Sequence, residues 1–523
     1  MRVLLVYPNY MMVNLLPTNI GILTACLVRE GYEVDLFDTT FYRTAEKSID
    51  EMRTENLQFR KFDLTEVGIF YNENRVDADF LKKVREFKPD LIGVSTVEDT
   101  WPQALMLLGA IPEGERPKVI VGGVFPTLAP DMVLGASCVD YICIGEGEEA
   151  LIEVCRELEK GNEPSHVKNI WGKSRGSTKI FKNCMRPPIP LEDVPFADFT
   201  LFQEKRFFRP MQGKIFRMLP IETDRGCPYT CRFCEAPQLN RIYREETASR
   251  YFRRKDWKWV HEELEHYVEK YNMQYVYFNA ETFLAMSQEE FDEFIESYSG
   301  FKIPFWCQTR IETINLEKLR LMEKVNCNRI SIGLEHGNEE FRRKVVGKGF
   351  TNQMMIENFK LFDKVSVPVS INNILGFPDE TREMIFDTIE LNRHLTTDSV
   401  NAYYFVPYRG TPFYEICLEK GYIGKDTITK PLTMGSCLNM PHLSSEEIQG
   451  LVRTFSLYVK FPKFDWPKIR RAEKMDEEGN RIFKELAEKY YEYFFDDDFK
   501  TYRRACFNSH IYNYQVPQYL AAS

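Results

Sequence analysis

Cys227, Cys231 and Cys234 stand in a C-x3-C-x2-C run inside Arg225-Gly226-Cys227-Pro228-Tyr229-Thr230-Cys231-Arg232-Phe233-Cys234, near the middle of the chain. Two short spacers let one loop turn three thiolates toward a common centre, which is metal-site geometry. A four-coordinate structural zinc wants a fourth Cys or His close by, and the nearest histidine, His261, lies well beyond Cys234. An iron-sulfur cluster is ordinarily closed by four thiolates. Three leave one iron open, and an open metal position is where chemistry happens. A structural zinc loop and unrelated core cysteines are the plainer alternatives.

The elements that position this loop form a βα series. Apolar strands are expected at 218–223, 275–279, 305–309, 329–334, 369–375 and 402–406, separated by helical patterns such as Trp257, Val260, Leu264, Tyr267, Val268 and Tyr271. Six units suggest a partial barrel, and in barrels the working groups come from the carboxyl ends of the strands. The cysteine loop follows the first strand directly. Upstream, Val3–Tyr7, Glu33–Phe37, Leu91–Ser95, Val119–Gly123 and Tyr141–Gly145 read as five strands of a parallel sheet covered on both faces. The stretch 39–84 is too long for one crossover and carries an insertion. Ligands of such sheets sit beyond the carboxyl ends, here Pro8-Asn9, Asp38-Thr39, Ser95-Thr96, Gly122-Gly123 with Thr127, and Gly145-Glu146-Gly147-Glu148. No Gly-x-Gly-x-x-Gly follows the first strand, which argues against a dinucleotide site.

The cysteine spacing, with Phe233 just before the third cysteine, resembles the signature of the radical S-adenosylmethionine (SAM) enzymes. The turns Gly122-Gly123-Val124-Phe125-Pro126-Thr127 and Gly145-Glu146-Gly147-Glu148 resemble those of the cobalamin-binding domain that precedes the radical SAM domain in one large subfamily, although that family often has His where Phe125 stands. The resemblance implies an α/β chain: an N-terminal Rossmann-like, doubly wound parallel sheet (1–158), a linker (159–202), a partial (β/α)6 radical SAM barrel (203–421) and a helical C-terminal region (422–523). It implies that Cys227, Cys231 and Cys234 hold a 4Fe-4S cluster, that Phe233 lies beside the adenine of SAM, and that Glu281, Arg310, Glu335 and Gly376 line the SAM site. It implies cobalamin contacts from Ser95, Thr96, Gly122, Gly123, Thr127, Gly145 and Glu146. Where the family has an acidic pair after the second barrel strand, this chain has Ala280-Glu281, so one acid is missing. No Asp-x-His-x-x-Gly arrangement is present, so cobalt would receive no lower imidazole from this protein.

The 523 residues fit two or three domains. No apolar run is long enough to span a bilayer, and the 13 cysteines, odd in number and scattered, point to a reducing compartment, hence the cytoplasm. A formal charge of −10 argues against broad nucleic-acid binding. The run Arg250, Arg253, Arg254, Lys255, Lys258, with Trp257 and Trp259 interleaved, reads as the solvated face of a helix entering the core. Trp101 reads as a packing residue, the alternative being a cover for a corrin face, and His336 as structural, the alternative being a proton carrier. Pro187 to Pro195 reads as a tether. Leu443-Ser444-Ser445-Glu446-Glu447 is a capping box that opens a helix, a second helix is expected over 482–495, and the aromatic tail from Lys500 is expected to pack on the body.

The expected activity is a cobalamin-dependent methylation of an unactivated carbon on a small-molecule or natural-product substrate, through a 5′-deoxyadenosyl radical and methylcobalamin, with a flavodoxin or ferredoxin as reductant. The alternatives are a non-methylating cyclase or oxidase of a pigment or natural-product pathway, a cobalamin-binding sensor, and a tRNA-modifying enzyme.

Overall fold

The computed structural model describes residues 1–173 and 180–495. Strands β1 (Arg2–Tyr7), β2 (Glu33–Asp38), β3 (Leu91–Ser95), β4 (Lys118–Gly122) and β5 (Tyr141–Cys143) lie parallel in the order β2-β1-β3-β4-β5. Val3 to Val6, Leu91, Ile92 and Val119 to Val121 are buried, as strands covered on both faces require. Helices Thr18–Arg29, Val76–Phe87, Trp101–Gly109 and Glu148–Glu159 accompany them. The strand order reverses between β1 and β3, which fixes where a ligand-binding crevice opens.

The stretch read as a linker contributes to this sheet. β6 (Ile170–Lys173) adds antiparallel to β5, and β7 (Ile180–Lys182) adds antiparallel to β6 as the edge. Strands of three or four residues are too short for alternation to stand out in a polar sequence. The proline-rich segment after them does run without strands. The insertion holds helix Ile49–Glu55, opened by Ser48 in a capping box with Glu51. It reaches the far end of the molecule, where Leu57 is buried in the C-terminal core and Gln58 Nε2 donates to Ala402 O at 2.9 Å.

The second sheet begins with an antiparallel edge, β8 (Phe208–Met211) on β9 (Lys214–Glu222). A short ribbon of β10 (Asp224–Arg225) and β11 (Arg253–Arg254) follows. With β12 (Tyr275–Asn279), β13 (Phe305–Thr309), β14 (Cys327–Glu335), β15 (Val369–Leu375) and β16 (Ser399–Tyr404), the order is β16-β15-β14-β13-β12-β9-β8. Six strands run parallel with each beside its successor, and the sheet curls into a partial barrel. Trp257, Phe278, Phe283, Phe294, Tyr298 and Phe305 pack edge to face beneath it. The basic run differs from its reading: Arg253 and Arg254 are not on a solvated helix but in β11, held by carboxylates described below, and the helix starts at Trp257.

The C-terminal region opens as expected, with Ser444 accepting from Glu447 N and helix Ser445–Lys460 burying Ile448, Leu451, Val452, Phe455 and Val459. That face lies on β16 and helix Arg382–Arg393. Helix Trp466–Ala472 precedes a last helix, Glu477–Phe494, which starts before the expected Ile482 because Asp476 caps it. The aromatic tail from Lys500 lies outside the described residues. Among the described residues no helix is long and apolar enough to cross a membrane.

Candidate active site

The cysteine loop leaves β10 at the carboxyl end of β9. Cys227 is buried, with Sγ 3.5 Å from Thr282 Oγ1 and its carbonyl accepting from Asn240 Nδ2 at 2.9 Å. Cys231 Sγ accepts from Arg310 Nη1 at 3.2 Å. Cys234, half-buried, donates its N–H to Cys231 O at 3.2 Å. Burial pushes the thiols of Cys227 and Cys234 up. Among the described residues no three His, Cys, Asp or Glu side chains converge on a one-ion site. Three thiols on one loop, Cys227, Cys231 and Cys234, are the donor chemistry with which a cluster would be held, one thiolate to an iron. Phe233 stands edge-on to Phe377 with centroids 6.2 Å apart, at the margin of the C-terminal core.

Around this loop lie acids whose protonation is shifted. Glu281 is exposed to a cleft yet walled in by protein, and burial raises its carboxyl. Burial lifts Glu235 to about 8, with Glu281, Asp99 and Glu98 adding to it. Asp224 is lifted to about 7 and Asp99 to about 6, again chiefly by burial. The Tyr408 hydroxyl is raised by burial and then by Glu235, Asp99, Cys234 and Glu98. Groups on loops of both sheets therefore act on one another across one space, with carboxyl ends facing carboxyl ends.

The remaining barrel residues are placed with their partners. Arg310 is buried, its Nη2 and Nε on Glu312 Oε1 at 2.6 and 3.2 Å and its guanidinium 4.0 Å over the Tyr229 ring. Glu335 has a left-handed backbone, φ 65°, beside a register shift in β14, and its Oε1 pairs with Lys348 Nζ at 2.8 Å. Gly376, at φ 90°, tops β15; its N–H and that of Phe377 donate to Glu380 Oε2 at 2.5 and 3.0 Å. A Cβ there would stand 2.9 Å from Ile448 Cδ1. His336 is fully buried: Nδ1 accepts from Asn338 N at 3.1 Å, which leaves Nε2 facing Glu380 Oε1 at 2.9 Å. It ties the fourth strand end to the fifth, the structural role expected of it.

On the first sheet the expected cobalamin contacts are largely engaged with one another. Ser95 Oγ accepts from Asn19 Nδ2 at 2.6 Å, and Thr96 Oγ1 lies 2.9 Å from Thr100 Oγ1. Gly122 ends β4, and Gly123, at φ 107°, brings the β4 loop so close that a Cβ would sit 2.5 Å from Thr96 O. Thr127 Oγ1 donates to Gly123 O and accepts from Gly145 N, both at 2.9 Å. Trp101 packs against Phe125 with centroids 5.9 Å apart. What this loop set presents to solvent is Val97, 47% exposed although apolar, directly after β3 at the switch point.

Glu146 faces the other sheet. Its Oε1 takes Arg225 Nη1 at 3.0 Å and Arg253 Nη2, while Glu148 and Glu222 hold the same Arg225 at 2.7 and 3.0 Å. Arg225 immediately precedes the cysteine loop, so the β5 turn of the first sheet anchors it. A second clamp joins the β3 loop to the β16 end: Arg409 Nε to Glu98 Oε1 at 3.3 Å, with Nη2 on Lys425 O and Thr427 O. Sequence reasoning missed Glu98, Asp99, Arg225, Glu235, Lys348 and Arg409 as members of this region. Their signal was charge at a strand end facing charge on a distant one, which a single sequence does not pair.

Two comparisons of sequence and one of structure bear on this geometry. Residues 57–155 match the B12 binding domain and residues 221–391 the Radical SAM superfamily. The chain is 26% identical over 431 residues to an uncharacterized methyltransferase of Pyrococcus horikoshii, PH0819, covering 80% of this chain and 89% of that protein. It is 23% identical over 405 residues to the anaerobic magnesium-protoporphyrin IX monomethyl ester cyclase of Cereibacter sphaeroides, covering 74% of this chain but 62% of that one. The radical S-adenosylmethionine methyltransferase TsrM of Kitasatospora setae, solved with cobalamin and a 4Fe-4S cluster, superposes with a TM-score of 0.61 at 14% identity, over 94% of this chain and 99% of that one. The chain thus carries a B12 binding domain followed by a radical SAM domain.

Proposed function

We propose that the protein is a cobalamin-dependent radical SAM methyltransferase that places a methyl group on an unactivated carbon of a small-molecule or natural-product substrate. The observation that carries this reading is the opposition of two carboxyl-end loop sets, one bearing three cysteines, joined by the Arg225 and Arg409 clamps. Cys227, Cys231 and Cys234 would hold the cluster, Val97 and the β3 and β4 turns would lie against the corrin, and Glu281 would accept from the ammonium of SAM. When bound, the cluster and SAM supply a carbon-centred radical and the corrin supplies the methyl group. The protein's own contribution is orientation and proton custody. Glu235, with its carboxyl lifted to about 8, would hold a proton near neutral pH, while Asp99, lifted to about 6, would exchange one just below it. The two arginine clamps fix the distance between the loop sets. Phe377, Phe405 and Phe413, packed against one another, keep water from the β15 and β16 ends. The reading calls for a one-electron carrier such as flavodoxin or ferredoxin and for a reducing cytoplasm.

The test is anaerobic purification from cobalamin-supplied cells, followed by iron, sulfide and corrin analysis and incubation with SAM and reductant. About four irons per chain, a bound corrin, and release of both 5′-deoxyadenosine and S-adenosylhomocysteine are expected, with iron lost in Cys231→Ala. Cleavage of SAM without S-adenosylhomocysteine would move the protein to the cyclising or oxidising alternative. Zinc in place of iron would overturn the radical reading.

A further inference from the structure

Arg310, expected to line the SAM site, has the Nε–Nη2 edge of its guanidinium and one of its faces already taken. Its face lies 4.0 Å over the Tyr229 ring. The Nε and Nη2 donors converge on Glu312 Oε1. The remaining donor, Nη1, points at Cys231 Sγ from 3.2 Å. The side chain is 7% exposed, so these partners and not water set its orientation. A planar fork gripped on one edge and stacked on one face has a single direction left for its third nitrogen.

We propose that Arg310 is a positioning and tuning residue for the cluster, donating a charged hydrogen bond to the Cys231 ligand and so raising the reduction potential of the iron-sulfur centre. The inference rests on the reading that the three cysteines hold that centre. Hydrogen bonds to cluster sulfurs and local charge are the levers by which a protein sets such potentials. One electron enters on reduction and no bond forms or breaks; the centre becomes more negative, and a fixed cation on one of its thiolates stabilises the product of that step. Glu312 sets the size of the effect, because its carboxylate partly cancels the cation it holds. Removing Arg310 and removing the charge of Glu312 should therefore move the potential in opposite directions, a signature that a merely structural role would not produce.

The experiment is an EPR-monitored redox titration of the anaerobically purified protein without SAM, for wild type, Arg310→Gln, Arg310→Lys and Glu312→Gln, with iron counted in each and SAM affinity measured separately. Arg310→Gln is expected to disfavour reduction about tenfold, a fall of about 59 mV for a one-electron couple. Glu312→Gln should shift the potential upward and Arg310→Lys should fall between Arg310→Gln and wild type. An unchanged potential in Arg310→Gln with iron retained and SAM affinity lost would overturn the proposal and return Arg310 to the SAM carboxylate. If Arg310→Gln loses its iron, Glu312→Gln decides: an upward shift supports the proposal and no shift overturns it. A wild type without iron would overturn the cluster reading itself, and is told apart because it precedes any comparison of variants.

Discussion

The loops at the carboxyl ends of the two sheets are built from similar residues and used differently. On the first sheet Ser95, Thr96 and Thr127 spend their hydroxyls on Asn19, Thr100 and neighbouring backbone, leaving an apolar residue, Val97, facing out. On the second sheet Glu281 and Glu235 have no ion pair among the described residues, and burial raises their carboxyls. On the proposed function the first set would serve as a preassembled surface for a large flat group, recognised by shape and backbone. The second keeps side chains unspent, and unspent ionisable groups in a walled cleft are where reaction chemistry is run.

The strongest way to break this contrast is to exchange the consequences of substitution between the two sets. Cys227→Ala should abolish SAM cleavage and strip the cluster iron, read by iron analysis and by 5′-deoxyadenosine release. Thr96→Ala on the other sheet should leave both intact and weaken corrin binding by no more than about tenfold, the worth of one hydrogen bond; a loss of iron there would end the division of labour. Next in size is the clamp between the sets. Arg225→Met leaves Glu146, Glu148 and Glu222 without their shared cation, and should cost about 3–5 kcal/mol in chemical denaturation.

Asp224 gives a pH-dependent test. Its carboxyl is lifted from 3.8 to about 7 by burial, with Arg254 opposing. Below pH ~4 both folded and unfolded states are protonated there and no penalty exists. Between that and pH ~7 the native state binds more protons than the unfolded one, so stability falls as pH rises. Asp224→Asn removes this penalty and should stabilise the apoprotein at pH 8 relative to pH 4 by on the order of 2–4 kcal/mol. An equal effect at both pH values would show that folding does not raise the Asp224 carboxyl. The smallest effect belongs to the first sheet: Thr127→Val severs the link between the β4 and β5 loops and should cost about 1–2 kcal/mol with SAM cleavage unchanged.

Much of this was legible in the sequence because it is local. The cysteine spacing, the strand runs that end at Ser95, Asn279, Thr309 and Leu375, and the Ser444 capping box each lie within a few residues, so one stretch carries the whole signal. What escaped was pairing at a distance. Arg310 read as a residue lining the SAM site because nothing in the sequence tells that Tyr229 and Cys231, on a distant loop, take its face and its Nη1. Glu335 read the same way because Lys348, which pairs with it, comes 13 residues later, beyond an irregular turn. Arg253 and Arg254 read as solvated because charges in a row usually are, and their carboxylates Glu146 and Asp224 lie on other elements. The short strands β6 and β7 were hidden by length alone.

The order of strands along the chain also sets an order of assembly. Every strand of the first sheet, the antiparallel edge included, is made before residue 183, whereas the cysteine loop begins at Arg225. Domains generally fold as units from the amino end during synthesis, so the segments that carry Glu146 and Glu148 are available for pairing before Arg225 emerges. The later sheet then grows by adding each new strand beside the one just made, a sequence of short-range closures that costs little chain entropy. The nascent cysteine loop is thus held at one end by a finished neighbour while the strands that will wall it in are still being translated.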